Sequence, residues 1–279
     1  MVLAQMRIFF LMMSLILFGL IACGPKPPAE TAEAKSAQTL YQNAEYVLEV
    51  DKNRTKAVAL FAEVVRLYPY SEWTKRALIM LAYVKHKDRK YDEARAASQR
   101  FLHFYPDDEE APYAMYLVAL SYYDQIDDIG RDQALTREAL WALRDVFEEY
   151  PNSDYARAAL LKFDLAFDHL AAKQMEVGRY YLKRGHYTAA INRFRAVVES
   201  YQSTVYTAEA LHRLVESYMA LGLKAEAQTA GAILGYNYQS SPFYQDTYNL
   251  LTNRGLKPEA SGRGWLRVIY RQVIKGEWL

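Results

Sequence analysis

The sequence predicts an all-α protein, an α-solenoid of five helix–turn–helix repeats placed after an export segment. Three observations predict it. The composition leans helical: 52% of the 279 residues are hydrophobic, and glycine and proline number only 12 and 9, while Ala, Leu, Tyr, Arg and Glu are plentiful. A short junction recurs as "LYPYSE" at 67–72, "FYPDDE" at 104–109, "EYPNSD" at 149–154 and "SYQSTV" at 200–205. Each junction follows an amphipathic stretch: "TKAVALFAEVVRLY", "YDEARAASQRFLHFY", "TREALWALRDVFEEY" and "HYTAAINRFRAVVESY". Proline stops the preceding helix, because it lacks an N–H and forces the residue before it out of the helical region. Ser, Asn or Asp then caps the next helix.

The N-terminus stands apart from this pattern. Arg7 gives a weakly positive start, and 8–21 carries no charge. The run is too short for an ordinary transmembrane helix but suits the apolar region of a signal peptide. It ends Leu20-Ile21-Ala22-Cys23 around the single cysteine of the chain. This resembles the bacterial lipobox, in which the cysteine is lipidated and becomes the new N-terminus; Ile21 is less usual there than Ala or Ser. The other reading is an ordinary secretory signal that contains a cysteine. On the lipobox reading 1–22 is removed, Cys23 is the lipidation site, and 23–37 is a flexible tether rich in Pro and Ala. Several acyl chains would hold the protein firmly at a membrane. Gly24, where an Asp would favour retention at the inner membrane, points to the periplasmic face of the outer membrane.

The body, 38–243, divides into five units whose fine pattern resembles the tetratricopeptide repeat, a helix–turn–helix of about 34 residues. In the first, Tyr41, Ala44, Leu48, Ala57, Phe61, Val64 and Pro69 fall at the signature spacings. The second has Ala82, Ala94, Phe101 and Pro106, with Ser98 where a Phe is expected. The third has Ala119, Tyr122, Ala139 and Pro151, with extra residues between its helices in "DQIDDIGRDQ". The fourth is the clearest: Val177, Gly178, Tyr181, Ala190, Phe194 and Val197, with Gln202 in place of the final proline. Gly178 and Ala190 are small where the two helices should cross closely, with Phe194 and Tyr181 filling the space beside them. The fifth carries Leu214, Tyr218, Ala227 and Leu234. Two features depart from a plain array. The stretch from 154 to 185 predicts an extended first helix in the fourth unit. Residues 244–279 read as a linker and a short amphipathic helix with Trp265, Ile269 and Val273 on one face and Arg267, Arg271 and Lys275 on another. That helix either covers the last repeat or docks on a partner or on anionic headgroups.

Chemistry is hard to find in this chain. Thirty-four basic against 33 acidic residues leave no excess positive charge for bulk nucleic-acid binding. One cysteine allows no internal disulfide and no multi-cysteine zinc site. His86, His103, His169, His186 and His212 lie on different stretches without metal-ligand spacing, so no metal and no cofactor is implied. The acidic runs at 107–110 and 127–128 suit helix starts and loops. No phosphate-binding glycine loop and no Gly-x-Ser-x-Gly occurs. The expectation is a non-enzymatic binding scaffold. Its concave face would be lined by first helices, which places Tyr46, Tyr83 and Tyr116 in a peptide groove, with His86, Tyr113 and Tyr123 at neighbouring inward positions. Tyrosine combines broad apolar area with a hydroxyl and suits an extended peptide; packing between repeats is the alternative for each.

A lipobox, a tether and five such repeats together resemble one family, the BamD lipoproteins of the outer-membrane β-barrel assembly machinery. The resemblance rests on the Tyr-Pro junctions, on "GRDQA" in the inserted loop and on "YYLKRGHYTAAINRF" in the fourth unit. It implies a periplasmic scaffold that binds the barrel-assembly protein through its membrane-proximal POTRA domain and works beside accessory lipoproteins. It also implies a part in receiving unfolded outer-membrane proteins by their C-terminal signal. The family's POTRA contact uses the arginine of an Asn-Arg pair, here Asn192 and Arg193, with Arg184 nearby. Other envelope lipoproteins of this repeat type, for pilus secretin assembly or for coordination with cell division, would share fold and address. An envelope hydrolase would need a nucleophile constellation that the sequence does not display.

Overall fold

The computed structural model describes residues 32–259 and Leu266, and the eleven helices among them follow one another with short turns. They are α1 (Ala32–Glu49), α2 (Arg54–Leu67), α3 (Glu72–Lys87), α4 (Tyr91–Phe104), α5 (Ala111–Tyr123), α6 (Ala134–Glu149), α7 (Asp154–Lys183), α8 (Tyr187–Ser200), α9 (Thr207–Ala220), α10 (Lys224–Asn237) and α11 (Pro242–Thr252). The chain forms two compact units, 1–78 and 79–279, divided within α3.

The second helix of every repeat carries the same buried column. Ala57, Ala94, Ala139, Ala190 and Ala227 head it, fully enclosed. Four residues on come Phe61, Ser98, Leu143, Phe194 and Gly231; three further on come Val64, Phe101, Val146, Val197 and Leu234. This i, i+4, i+7 spacing puts all three on one helical face. Side-chain volume is traded along the column. Where the middle position shrinks to Ser98 the next is Phe101, and beside Gly231 the space is filled by Leu251 from α11.

Each column ends in a tyrosine that closes its helix: Tyr68, Tyr105, Tyr150, Tyr201 and Tyr238. All five adopt φ between −136° and −124°. Their N–H groups still reach the helix carbonyl four residues back, and their own carbonyls accept the N–H three residues on, of Ser71, Asp108, Ser153, Thr204 and Ser241. Tyr201 and Tyr238 do this before Gln202 and Gln239, so the turn survives without proline. Successive junctions are stitched together in the second unit: the Tyr150 hydroxyl donates to the Pro106 carbonyl (3.2 Å), and that of Tyr238 to the Gln202 carbonyl (3.4 Å). The next helices start on capping side chains, with Ser153 accepting from Ala156 N–H and Ser241 from Phe243 N–H.

In the first unit Tyr41 packs on Phe61 and Trp73 (ring centroids 5.4 and 5.2 Å), and Arg76 lies 4.8 Å over the Trp73 ring. In the second unit each helix from α4 to α10 packs on the next, and first helices also touch first helices, α5 with α7 and α9 with α11. That stacking of neighbours is the solenoid arrangement of repeat proteins. In the fourth repeat α7 and α8 approach so closely that a Cβ at Gly178 would lie 2.5 Å from the Phe194 ring.

The ends differ from the sequence expectation. α1 begins at Ala32, so residues 32–37 of the expected tether are helical, consistent with their Ala-Glu-Ala-Lys-Ser-Ala composition. The boundary expected at 243/244 falls inside α11, which packs on α9 and α10. The missed signal is a fifth junction, Tyr238 to Ser241, followed by Pro242 at the first helical position. Leu266 is buried in one cluster with Met175, Leu211 and Leu251. The signal segment, Cys23, and Trp265, Arg267, Ile269, Arg271, Val273 and Lys275 lie outside the described residues.

The close crossing gives a direct test. Gly178→Ala should improve helix propensity by about 1 kcal/mol but overpack Phe194 by about 1–3 kcal/mol. The net expectation is a loss of up to about 2 kcal/mol, read as a lower urea midpoint; a raised midpoint would contradict the packing described.

Candidate functional site

The inserted loop of the third repeat builds one wall of the most promising surface. Asp128 closes a tight turn by accepting the Gly130 N–H (2.7 Å), and Asp132 accepts from Ala134 N–H at the start of α6 (3.1 Å). Gln133 is buried and holds the loop from within. Its amide donates to the Arg131 carbonyl (3.1 Å), and its oxygen accepts from the Thr136 hydroxyl (2.9 Å). Lys173 on α7 then clasps the loop by donating to the Gly130 carbonyl (2.8 Å). A buried amide satisfied on both sides is costly to displace, which favours this loop conformation.

Between this loop, α6, α7 and α8 lies a cleft of about 290 Å³. Arg131, Arg137, Lys173 and Arg193 line it, against a single acid, Asp132, and its apolar lining is Leu170 and Val177. Arg193 donates to the Gln174 side chain (3.2 Å). Tyr201 also lines the cleft; burial pushes its hydroxyl pKa up, while the charge of Arg137 acts in the opposite sense. The arrangement suits recognition of carboxylates, which guanidinium groups bind in forked geometry.

The expected partner-binding residues separate into two places. Arg193 lines the cleft and Asn192 beside it is exposed. Arg184 is exposed in the turn before α8, stacked 4.3 Å over the Tyr180 ring, and is not among the cleft's lining residues. The tyrosines also divide. Tyr46, in the first unit, is 57% exposed. In the second unit Tyr83 is half-buried with Lys87 over its ring (5.5 Å), while Tyr116 is only 9% exposed. Tyr116 departs from the groove expectation: it packs on Tyr155 of the following repeat (5.6 Å) within the core of α5, α6 and α7. Tyr113 also meets Tyr155 (5.1 Å), and burial raises its pKa to about 12. His86 is buried beside Asp124 (3.2 Å) and edge-on to Tyr91. These rings bind repeats to each other, because a tyrosine on a first helix faces the next first helix as readily as it faces solvent.

Sequence reasoning missed the charges that brace this surface from behind. Arg179 forks onto Glu209 across α7 and α9 (2.9 and 2.5 Å). Arg213 joins Glu209 to Glu216 (3.4 and 2.8 Å), and His212 links Glu216 (3.6 Å) with Thr247 of α11 (2.8 Å). Burial would raise the Glu209 carboxyl, but Arg179 and Arg213 outweigh it and hold it below the usual carboxylate range. Glu216 is likewise lowered, burial being outweighed by His212 and Arg213. No spacing rule marks such a network, since its members sit on three helices.

A helical-repeat protein with a basic cleft is thus the class of protein defined here. Residues 33–233 match the family YfiO, outer membrane lipoprotein. The chain is similar to the outer membrane protein assembly factor BamD of Caulobacter vibrioides, at 46% identity over 84% of this chain and 76% of that one. It is 38% identical to that of Rickettsia prowazekii over 89% of this chain and 99% of the other. At 16% identity it aligns with the pilus biogenesis factor PilW over 76% of this chain and 98% of that one, with a TM-score of 0.35, too slight a likeness to bear on fold or function. The chain belongs to the BamD family of outer membrane lipoproteins, a family of assembly factors and not of enzymes.

The lowered carboxyls fix a sign for pH dependence. Unfolded, both glutamates bind protons more tightly than in the fold. Their contribution is therefore complete above the ordinary value of 4.5 and is lost as pH falls through the depressed folded values. The urea midpoint should begin to fall as the pH drops below about 5. Glu209→Gln should lower it at neutral pH by the equivalent of about 1 kcal/mol and flatten the acid slope. An unchanged slope in Glu209→Gln would contradict the role given to this network.

Proposed function

We propose that this chain is a lipid-anchored scaffold of the outer-membrane β-barrel assembly machinery, and that its fourth repeat binds the POTRA domain of the barrel-assembly protein. Cys23 would carry the lipid after removal of 1–22, leaving a short tether to the repeats. The observation that carries the docking assignment is Arg193. It is an exposed guanidinium at the rim of a basic cleft, held by a neutral amide and free to fork onto an acid. Asn192 lies beside it, and Arg184, stiffened by Tyr180, would add a second contact from the preceding turn. Accessory lipoproteins and unfolded outer-membrane proteins would use other faces of the repeats. Tyr46 in the first unit and Tyr83 in the second remain available for an extended substrate segment, whereas Tyr116 serves the packing.

Co-purification from membranes with the lipid anchor intact tests this. Arg193→Glu should lose the barrel-assembly protein, with affinity for its purified POTRA region down at least about tenfold, while circular dichroism is unchanged. Retention of that partner, or recovery of a secretin or division proteins instead, would contradict the proposal.

A further inference from the structure

We propose that the cleft is a two-point carboxylate clamp, in which Arg193 and Arg137 each take one acidic side chain of the protein docked there, with Trp141 as an apolar landing beside them. The four cations of the cleft are not equivalent. Arg131 is paired with Asp127 (3.2 Å), and Lys173 is committed to the Gly130 carbonyl and lies near Glu176 (3.7 Å). These two build the wall. Arg193 has only the neutral Gln174 amide, and Arg137 has no acidic partner among the described residues. The acid in the lining, Asp132, is occupied at the start of α6. Two guanidinium groups from different helices, α6 and α8, therefore line one small space with no ion-pair partner among the described residues.

The size and surroundings of that space choose the occupant. A volume of about 290 Å³ accepts one or two side chains and not a helix or strand. Trp141 follows Arg137 by one helical turn, on the same face of α6, and is 57% exposed. Tryptophan and arginine side by side are the residues that most often anchor protein interfaces. A membrane surface fits less well, because Glu138, Asp145 and Glu148 are also exposed on α6 and would face anionic headgroups. The clamp predicts a partner surface that presents two carboxylates flanking an apolar residue.

This inference rests on the docking reading above, and the experiment separates the two. Full-length detergent-solubilised protein is titrated with the purified POTRA region of the barrel-assembly protein, at low and at physiological salt. Arg137→Glu and Arg137→Gln should each weaken binding about tenfold and reduce its salt dependence. Arg137→Lys, which keeps charge but not the fork, should recover part of the loss, and Trp141→Ala should cost several-fold. Circular dichroism and urea midpoints report folding, and Arg137→Gln keeps the test valid if charge reversal disturbs α6. If both Arg137 variants stay within twofold of the parent while Arg193→Glu abolishes binding, the clamp is wrong and the docking site stands. If neither arginine matters, the docking reading falls as well. Binding of phosphatidylglycerol vesicles that is lost in Arg137→Glu, with POTRA affinity unchanged, would assign the cleft to lipid and overturn the clamp.

Discussion

The contact on which the basic cleft depends is that of the Phe194 ring with the bare backbone at Gly178. An added Cβ would sit inside the ring's van der Waals envelope, so α7 and α8 can come this close only because position 178 has no side chain. The chain neighbours of this pair are themselves cleft residues. Val177 precedes Gly178, Arg193 precedes Phe194, and both line the basic cleft. The depth of a buried packing contact thereby sets the separation of two exposed walls. Packed interiors transmit such constraints because they have little free volume in which to absorb them.

Around that contact the fold holds the site in two further ways. The junction tyrosines close each second helix in one backbone conformation, and in the second unit Tyr150 and Tyr238 also hydrogen-bond to the preceding junction. The Arg179, Glu209, Arg213 and Glu216 network ties the long helix α7 to α9, and His212 carries the tie on to α11. These groups are half-buried, where ion pairs retain more strength than at a fully exposed surface, because water screens them less. The loop that completes the cleft is pinned separately, by buried Gln133 and by Lys173.

Much of this was legible in the sequence, and the reasons are local. A buried face with i, i+4, i+7 spacing, a Tyr-Pro stop and a capping Ser are one-dimensional signals, and the repeats follow from them. The Gly178–Phe194 crossing was readable for the same reason, because one repeat contains both partners. Tyr116 was misjudged because its fate depends on Tyr155 of the next repeat, and an inward-facing position on a first helix is also a repeat-facing one. The fifth junction at Tyr238 lacks the proline that marks the first three, as does the fourth at Tyr201-Gln202, which shows that the tyrosine conformation does not require it. Arg137 and Lys173 carry no pattern at all: they come to line one cleft only when the inserted loop is clasped against α7.

The central claim is that a buried crossing positions the exposed cleft, and it has one direct measurement. Gly178→Ala removes no charge and no lining side chain, yet must push α7 and α8 apart. Its affinity for the POTRA region, measured under conditions where the variant is fully folded, should drop several-fold. An affinity equal to that of the parent, in a variant whose urea midpoint has fallen, would show that the cleft does not depend on this contact and would contradict the account.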